Sequence, residues 1–198
     1  MSIGKRCRIA ITGGPGGGKS TAVDLFRREL GERVVAVPES ATMLFAGGFP
    51  RTREPDARRH AQRAIFHVQR SLEDLYSSMY PHRVLLCDRG TVDGAAYWPS
   101  DGAFFPAMGT TLDTELARYD AVIFFESAAI GGMNIEGGNP CRIEDDVEAS
   151  RLDRELLGLW SEHPNLKVIS HRASFFEKIQ EGFAAMKAVV DAHAEPGA

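Results

Sequence analysis

Cysteine is scarce and scattered in this chain. Its three thiols, Cys7, Cys87 and Cys141, stand far apart, with no C-x-x-C and no Cys/His cluster. Neither a disulfide framework nor a zinc site is expected from that spacing. Long hydrophobic runs are missing as well. No stretch approaches the ~20 apolar residues that a membrane helix needs. No leader is visible ahead of the first apolar segment, so a reducing cytoplasm is the expected compartment. Positive charge is not in excess: 23 Lys and Arg against 27 Asp and Glu leave a net charge of -4. Non-specific nucleic-acid binding rests on neutralising many phosphates, and an acidic chain is not expected to do that as its main role. There is no internal repeat and no linker-like break. With 198 residues, 43% of them hydrophobic, residues 1–198 read as a single domain large enough for a full core.

Glycine, by contrast, is abundant, and it concentrates near the start. Gly13-Gly14-Pro15-Gly16-Gly17-Gly18-Lys19-Ser20 fits G-x-x-x-x-G-K-[ST], the phosphate-binding P-loop. Backbone N–H groups of such a loop turn inward and make a concave anion site. The following helix adds unpaired N–H groups and a partial positive charge. Lys19 would reach the β- and γ-phosphates of a nucleotide, and the Ser20 hydroxyl would ligate Mg²⁺, with Thr21 next in the cradle. The context agrees. Arg8 to Thr12 reads as a short buried strand, and Thr21 to Leu30 as an amphipathic helix that Gly31 ends.

Further along, Val34 to Val37 reads as a second strand, ending at Pro38-Glu39-Ser40. A short helix over Met43 to Ala46 and a loop with Arg51 and Arg53 follow. Pro55 opens a long helix over residues 56–79. Its apolar positions, Ala61, Ile65, Val68, Leu72, Leu75 and Met79, predict one continuous inward face. Val84 to Asp88 and Ala121 to Glu126 read as the third and fourth strands. Between them lies an irregular aromatic region over 91–112 and a short helix from Leu112 to Tyr119. Residues 127–141 are rich in glycine and read as a functional loop. Glu144 to Trp160 predicts a helix with Val147, Leu152, Leu156, Leu159 and Trp160 inward. Leu166 to Ser170 is a fifth strand and Phe175 to Ala192 a closing helix. Strands alternating with helices imply an α/β domain: a mainly parallel sheet with helices on both faces.

Chemistry is expected where strands end. Asp88 closes an apolar strand and could hold a Mg²⁺-bound water opposite Ser20; an acid that opens a turn is the bland alternative. Arg89 follows it, which favours Asp88 over Glu126 as the metal-side acid. Glu39 is the candidate general base for an acceptor hydroxyl, or else a turn residue capping the next helix. Arg142 and Arg151 follow the glycine-rich loop and could neutralise a transferring phosphoryl group. Arg151 and Arg154 read equally as a solvated face paired with Glu148 and Glu155. Gln69 could read a base or amide by paired hydrogen bonds. His60 and His67 read as helix-surface histidines.

These residues resemble the P-loop kinase-like AAA-type ATPase domain family over residues 8–190. The resemblance is carried by Thr12 to Thr21, Val37 to Ala41, Gln62 to Gln69, Asp88-Arg89-Gly90 with Asp93, and the Arg151-Leu152-Asp153 helix. The layout also looks like nucleoside and nucleotide kinases. It implies a five-stranded three-layer P-loop NTPase fold in strand order 2-3-1-4-5. It further implies ATP and Mg²⁺ as ligands, a base or acceptor ligand at Glu39, and an acid–arginine pair at Asp88-Arg89 that also faces the acceptor. A lid over about 127–155 is implied as well, although the glycine-rich stretch at 131–139 departs from the short lid of those kinases.

Three functions follow as expectations. The first is a kinase passing the γ-phosphoryl group of ATP to a nucleoside, nucleotide or similar small molecule. The second is an ATPase or GTPase switch working on a protein partner; no Asn-Lys-x-Asp guanine-reading motif is present. The third is a non-catalytic nucleotide-binding module, which the set Lys19, Ser20 and Asp88 disfavours. A homodimer or a protein partner would fit, a membrane would not.

Overall fold

The computed structural model describes residues 6–131, 146–172 and 174–193. Five strands form one parallel sheet: β1 (Arg8–Thr12), β2 (Val34–Val37), β3 (Val84–Asp88), β4 (Ala121–Phe125) and β5 (Leu166–Ile169). Their spatial order is β2-β3-β1-β4-β5. β1 is central, pairing Ile9 with Leu86 on one side and with Ala121 on the other. The helices are α1 (Lys19–Leu30), α2 (Ser40–Ala46), α3 (Pro55–Met79), α4 (Phe104–Ala107), α5 (Leu112–Leu116), α6 (Asp146–Trp160) and α7 (Phe175–His193).

Alternation along each central strand sends side chains to two cores. Ile9, Ile11, Val84, Leu86, Ile123 and Phe125 join residues of α1 and α7 on one face. Ala10, Leu85, Cys87, Val122 and Phe124 meet α6 residues and Tyr119 on the other. A parallel strand buried on both faces needs an unbroken apolar run, and β3 and β4 have one. Cys7 and Cys87 are both buried. Among the described residues, no helix is long and apolar enough to cross a membrane.

Two packing expectations fail. On α3, Leu75 is 52% and Met79 58% exposed, while the buried positions include Phe66, Gln69, Glu73 and Ser77. The inward stripe is therefore polar at its centre. Glu73, fully buried, accepts from Arg118 Nη2 at 2.8 Å, Tyr119 Oη at 2.7 Å and Gln69 Nε2 at 3.2 Å. Those bonds make burial of a charge tolerable where apolar residues were expected. On α6, Val147 is 80% exposed: it lies in the first turn, ahead of the inward set Ala149, Leu152, Asp153, Leu156 and Trp160. The glycine-rich stretch from residue 132, the predicted helix start at Glu144, Cys141 and Arg142 lie outside the described residues.

Candidate functional site

The glycine loop links β1 to α1 at the carboxyl edge of the sheet, where open α/β folds bind ligands. Gly13 has φ 132°, a conformation that side chains strain against, and a Cβ there would run into the Phe125 carbonyl. Pro15, Gly16, Gly18, Lys19, Ser20 and Thr21 line a cleft of about 1170 Å³. Gly13, Gly14 and Gly17 lie behind it, packed against residues of the β4 exit and α6. Lys19 is 7% exposed and donates to the Gly14 carbonyl at 2.7 Å. Burial, then the Arg89 charge, pushes its ammonium down to about 7, against the pull of Asp88, Glu39 and Asp93.

Asp88 stands at the end of β3, on the floor of the same cleft. Burial, then repulsion from Glu39, pushes its carboxyl up to about 6, against a hydrogen bond from Ser20 and the charges of Lys19 and Arg89. One of its oxygens, Oδ1, is buried with no hydrogen-bond partner. A buried carboxylate oxygen left unsatisfied beside a serine hydroxyl suits a hard cation or its water. Ser20 and Asp88 therefore fit Mg²⁺ and would hold it.

Glu39 occupies the N-cap position of α2, but its side chain makes no cap bond. It accepts instead from Arg89 Nε at 2.7 Å and Thr42 Oγ1 at 2.5 Å. Burial works to raise its carboxyl, yet the Arg89 charge and the Thr42 bond hold it below the usual carboxylate range. Glu39 thus stays ionised at neutral pH, facing the cleft. Arg89 is the one non-glycine residue with positive φ among the described residues, at 71°. That backbone turn lets its guanidinium reach Glu39, Asp93 Oδ2 at 3.0 Å and the Gly13 carbonyl at 3.4 Å together.

Gln69 lines the cleft, but its amide is engaged within the protein. Its Oε1 accepts from Ser40 N at 3.2 Å, and its Nε2 donates to Glu73 and, at 3.4 Å, to the Arg89 carbonyl. The amide is fully engaged in tying the Glu39 turn to the Arg89 turn. Arg151 stands in the solvated-face arrangement that its helical spacing also offered. It pairs with Glu155 and, at 4.0 Å, with Glu148, and it lines a small hollow beside Trp98 away from the glycine loop. Its neighbours Leu152 and Asp153 take the buried side of α6, which turns Arg151 outward.

Three residues at the site were given no role from sequence, although Asp93 and Asp153 are among those that carry the resemblance. Asp93 accepts from Thr12 Oγ1 at 2.8 Å, Trp160 Nε1 at 2.7 Å and Arg89. Its position four residues after Arg89 was the available sign. Asp153 Oδ1 accepts from the backbone N–H of Gly14 and of Ser127, each at 2.8 Å. Lys178 Nζ donates to the carbonyls of Gly17 at 2.9 Å and Glu126 at 2.5 Å. Beyond Glu39 the cleft continues between Ala61, Ile65, Phe66 and Tyr97, with Arg58 anchored on the Tyr97 carbonyl at 2.7 Å. Remote from this cleft, Cys7, Asp120 and His193 offer ligand atoms within 4.8 Å of one another, a grouping their spacing does not announce.

A parallel sheet in the order 2-3-1-4-5 with this glycine loop between β1 and α1 defines a P-loop NTPase of nucleotide-kinase-like fold. A family model described as an AAA domain matches residues 8–178, and the chain belongs to that family. The fold is similar to that of deoxyadenosine kinase from M. mycoides with bound dATP, at TM-score 0.62 and 13% identity, over 92% of this chain and 100% of that one. It is similar also to thymidylate kinase from Ehrlichia chaffeensis, at TM-score 0.62 and 15% identity, over 93% and 98% of the two chains. No curated protein sequence matched the chain.

Proposed function

We propose that this protein is a Mg²⁺-dependent phosphotransferase that moves the γ-phosphoryl group of ATP to a small acceptor of the nucleoside or nucleotide class. One observation carries the reading. The ionised Glu39, clamped by Arg89 at 2.7 Å, shares a single cleft with Lys19, Ser20 and Asp88. A hydrolase acting on water needs no such second lobe walled by Ile65, Phe66 and Tyr97. The fold's likeness to a deoxyadenosine kinase and a thymidylate kinase supports the acceptor class.

In the reaction an acceptor oxygen attacks the γ-phosphorus while the bond to the β,γ-bridging oxygen breaks, leaving its electron pair on ADP. Phosphoryl transfer of this kind is loose, so positioning and charge neutralisation dominate. Lys19 supplies a short-range cation at the phosphates. Glu39 accepts a hydrogen bond from the acceptor hydroxyl and takes its proton late; a carboxylate below the usual range suits that orienting role. Arg89 fixes the Glu39 carboxylate and adds positive charge. Mg²⁺, when bound, would neutralise charge on the phosphate oxygens.

Replacing Glu39→Gln keeps the shape and removes the proton acceptor. Transfer should fall by about a hundred-fold or more, in line with general-base loss. ATP affinity, measured by titration calorimetry, should stay within a few-fold. Unchanged turnover would take Glu39 out of the mechanism.

A further inference from the structure

We propose that Asp153 and Lys178 form a charged brace that holds the phosphate loop in its nucleotide-binding shape, which makes both positioning residues for ATP. The proposal rests on reading this loop as the nucleotide site. The brace closes on one peptide unit, that between Glu126 and Ser127 at the exit of β4. Its N–H donates to Asp153 Oδ1 at 2.8 Å, and its C=O accepts from Lys178 Nζ at 2.5 Å. The same carboxylate oxygen takes the Gly14 N–H at 2.8 Å, and the same ammonium donates to the Gly17 carbonyl at 2.9 Å. An acid from α6 and a base from α7 thus tie both ends of the loop to one rigid peptide. The Ser127 hydroxyl adds a bond to the Pro15 carbonyl.

Neither side chain lines the cleft, and they are only 2% and 3% exposed. Each acts on nucleotide through the backbone it holds. The loop binds phosphate by the direction of its N–H groups, so its shape sets affinity. Fit is tight: a Cβ on Gly14 would run into the Asp153 carboxylate.

The pairing also explains why an acid can stand behind an anion site. A lone buried carboxylate would repel the phosphates of ATP. Lys178 offsets that charge, and the two groups interact electrostatically, as does Asp153 with Lys19. Removing Lys178 alone leaves the acid uncompensated. Removing both charges relieves the repulsion. The two substitutions should therefore not combine additively.

ATP binding and thermal melting would be measured on the full chain for wild type, Lys178→Met, Asp153→Asn and the double variant. Lys178→Met should weaken ATP about ten- to a hundred-fold, the scale of a lost buried contact to a charged group. Asp153→Asn keeps an accepting oxygen but loses the charged acceptor of the Gly14 and Ser127 N–H groups, and should weaken ATP about three- to ten-fold. The double variant should bind ATP more tightly than Lys178→Met. Lys178→Arg, which keeps the cation, should recover most of the loss. ATP binding by Lys178→Met within about two-fold of wild type would overturn the brace, as would a double variant weaker than Lys178→Met. Should Lys178→Met not fold, Lys178→Gln with and without Asp153→Asn carries the same comparison: the brace predicts weaker ATP binding in the single variant and recovery in the double, and wild-type binding by Lys178→Gln contradicts it. A wild type that does not bind ATP at all would instead overturn the nucleotide-site reading.

Discussion

Asp88 sits where burial works against its charge, which gives the site a measurable signature. Its carboxyl is pushed up from 3.8 to about 6, first by burial and then by Glu39. A folded-state value above the unfolded one means that the native protein holds this proton where the unfolded chain has lost it. Between those two values, rising pH favours the unfolded state, and above about 6 the full penalty is present. Asp88→Asn removes the penalty. The variant should match wild type in stability near pH 4 and gain on the order of 2 kcal/mol at pH 7 in denaturant titrations without nucleotide. It should also lose Mg²⁺-dependent ATP turnover, since a neutral amide is a poor ligand for a hard cation. In the wild type, turnover should fall as pH drops below about 6. An Asp88→Asn variant less stable than wild type at pH 7 would contradict this assignment of cause.

At the scale of elements, α3 does more than fill a layer. Through Gln69 it bonds the turn after β2 at Ser40 and the turn after β3 at Arg89, the two turns that carry the Glu39–Arg89 pair. Gln69→Leu leaves three polar groups, two of them buried, without that partner, a loss of about 2 kcal/mol in stability. Turnover should fall about ten-fold while ATP affinity holds, because the glycine loop is not touched by this contact. Equal turnover would show that the turns hold their register without α3. The strands were legible in sequence as apolar runs ending in Glu39, Asp88 and Glu126, since a strand covered on both faces has little choice of residue. The buried face of α3 was not. Apolar spacing pointed to Leu75 and Met79, whereas the helix buries Gln69, Glu73 and Ser77. Glu73 finds its partners in Arg118 and Tyr119, more than forty positions away, and no local pattern signals such a pairing.

Across the whole molecule, the glycine loop was readable because it is a local device: backbone, helix start, lysine and serine lie within eight residues of one another. The elements behind it were not readable, because Asp153 and Lys178 act on backbone groups brought near only by folding. Gln69 is taken up by partners that sequence does not place, whereas Arg151 takes the local pairs with Glu148 and Glu155 that its helical spacing already offered. The cleft that results joins a phosphate end at the β1–α1 loop to a partly apolar end walled by α2, α3 and the segment after β3. That division predicts transfer between two bound molecules. The most direct test is mass spectrometry of the full chain incubated with ATP, Mg²⁺ and pooled nucleosides, nucleotides, vitamins and sugars, beside Glu39→Gln. The structure predicts a new species heavier by one phosphoryl group, formed by wild type and absent with the variant. ADP accumulating with no phosphorylated acceptor would contradict the kinase reading and move the activity to hydrolysis coupled to a protein partner.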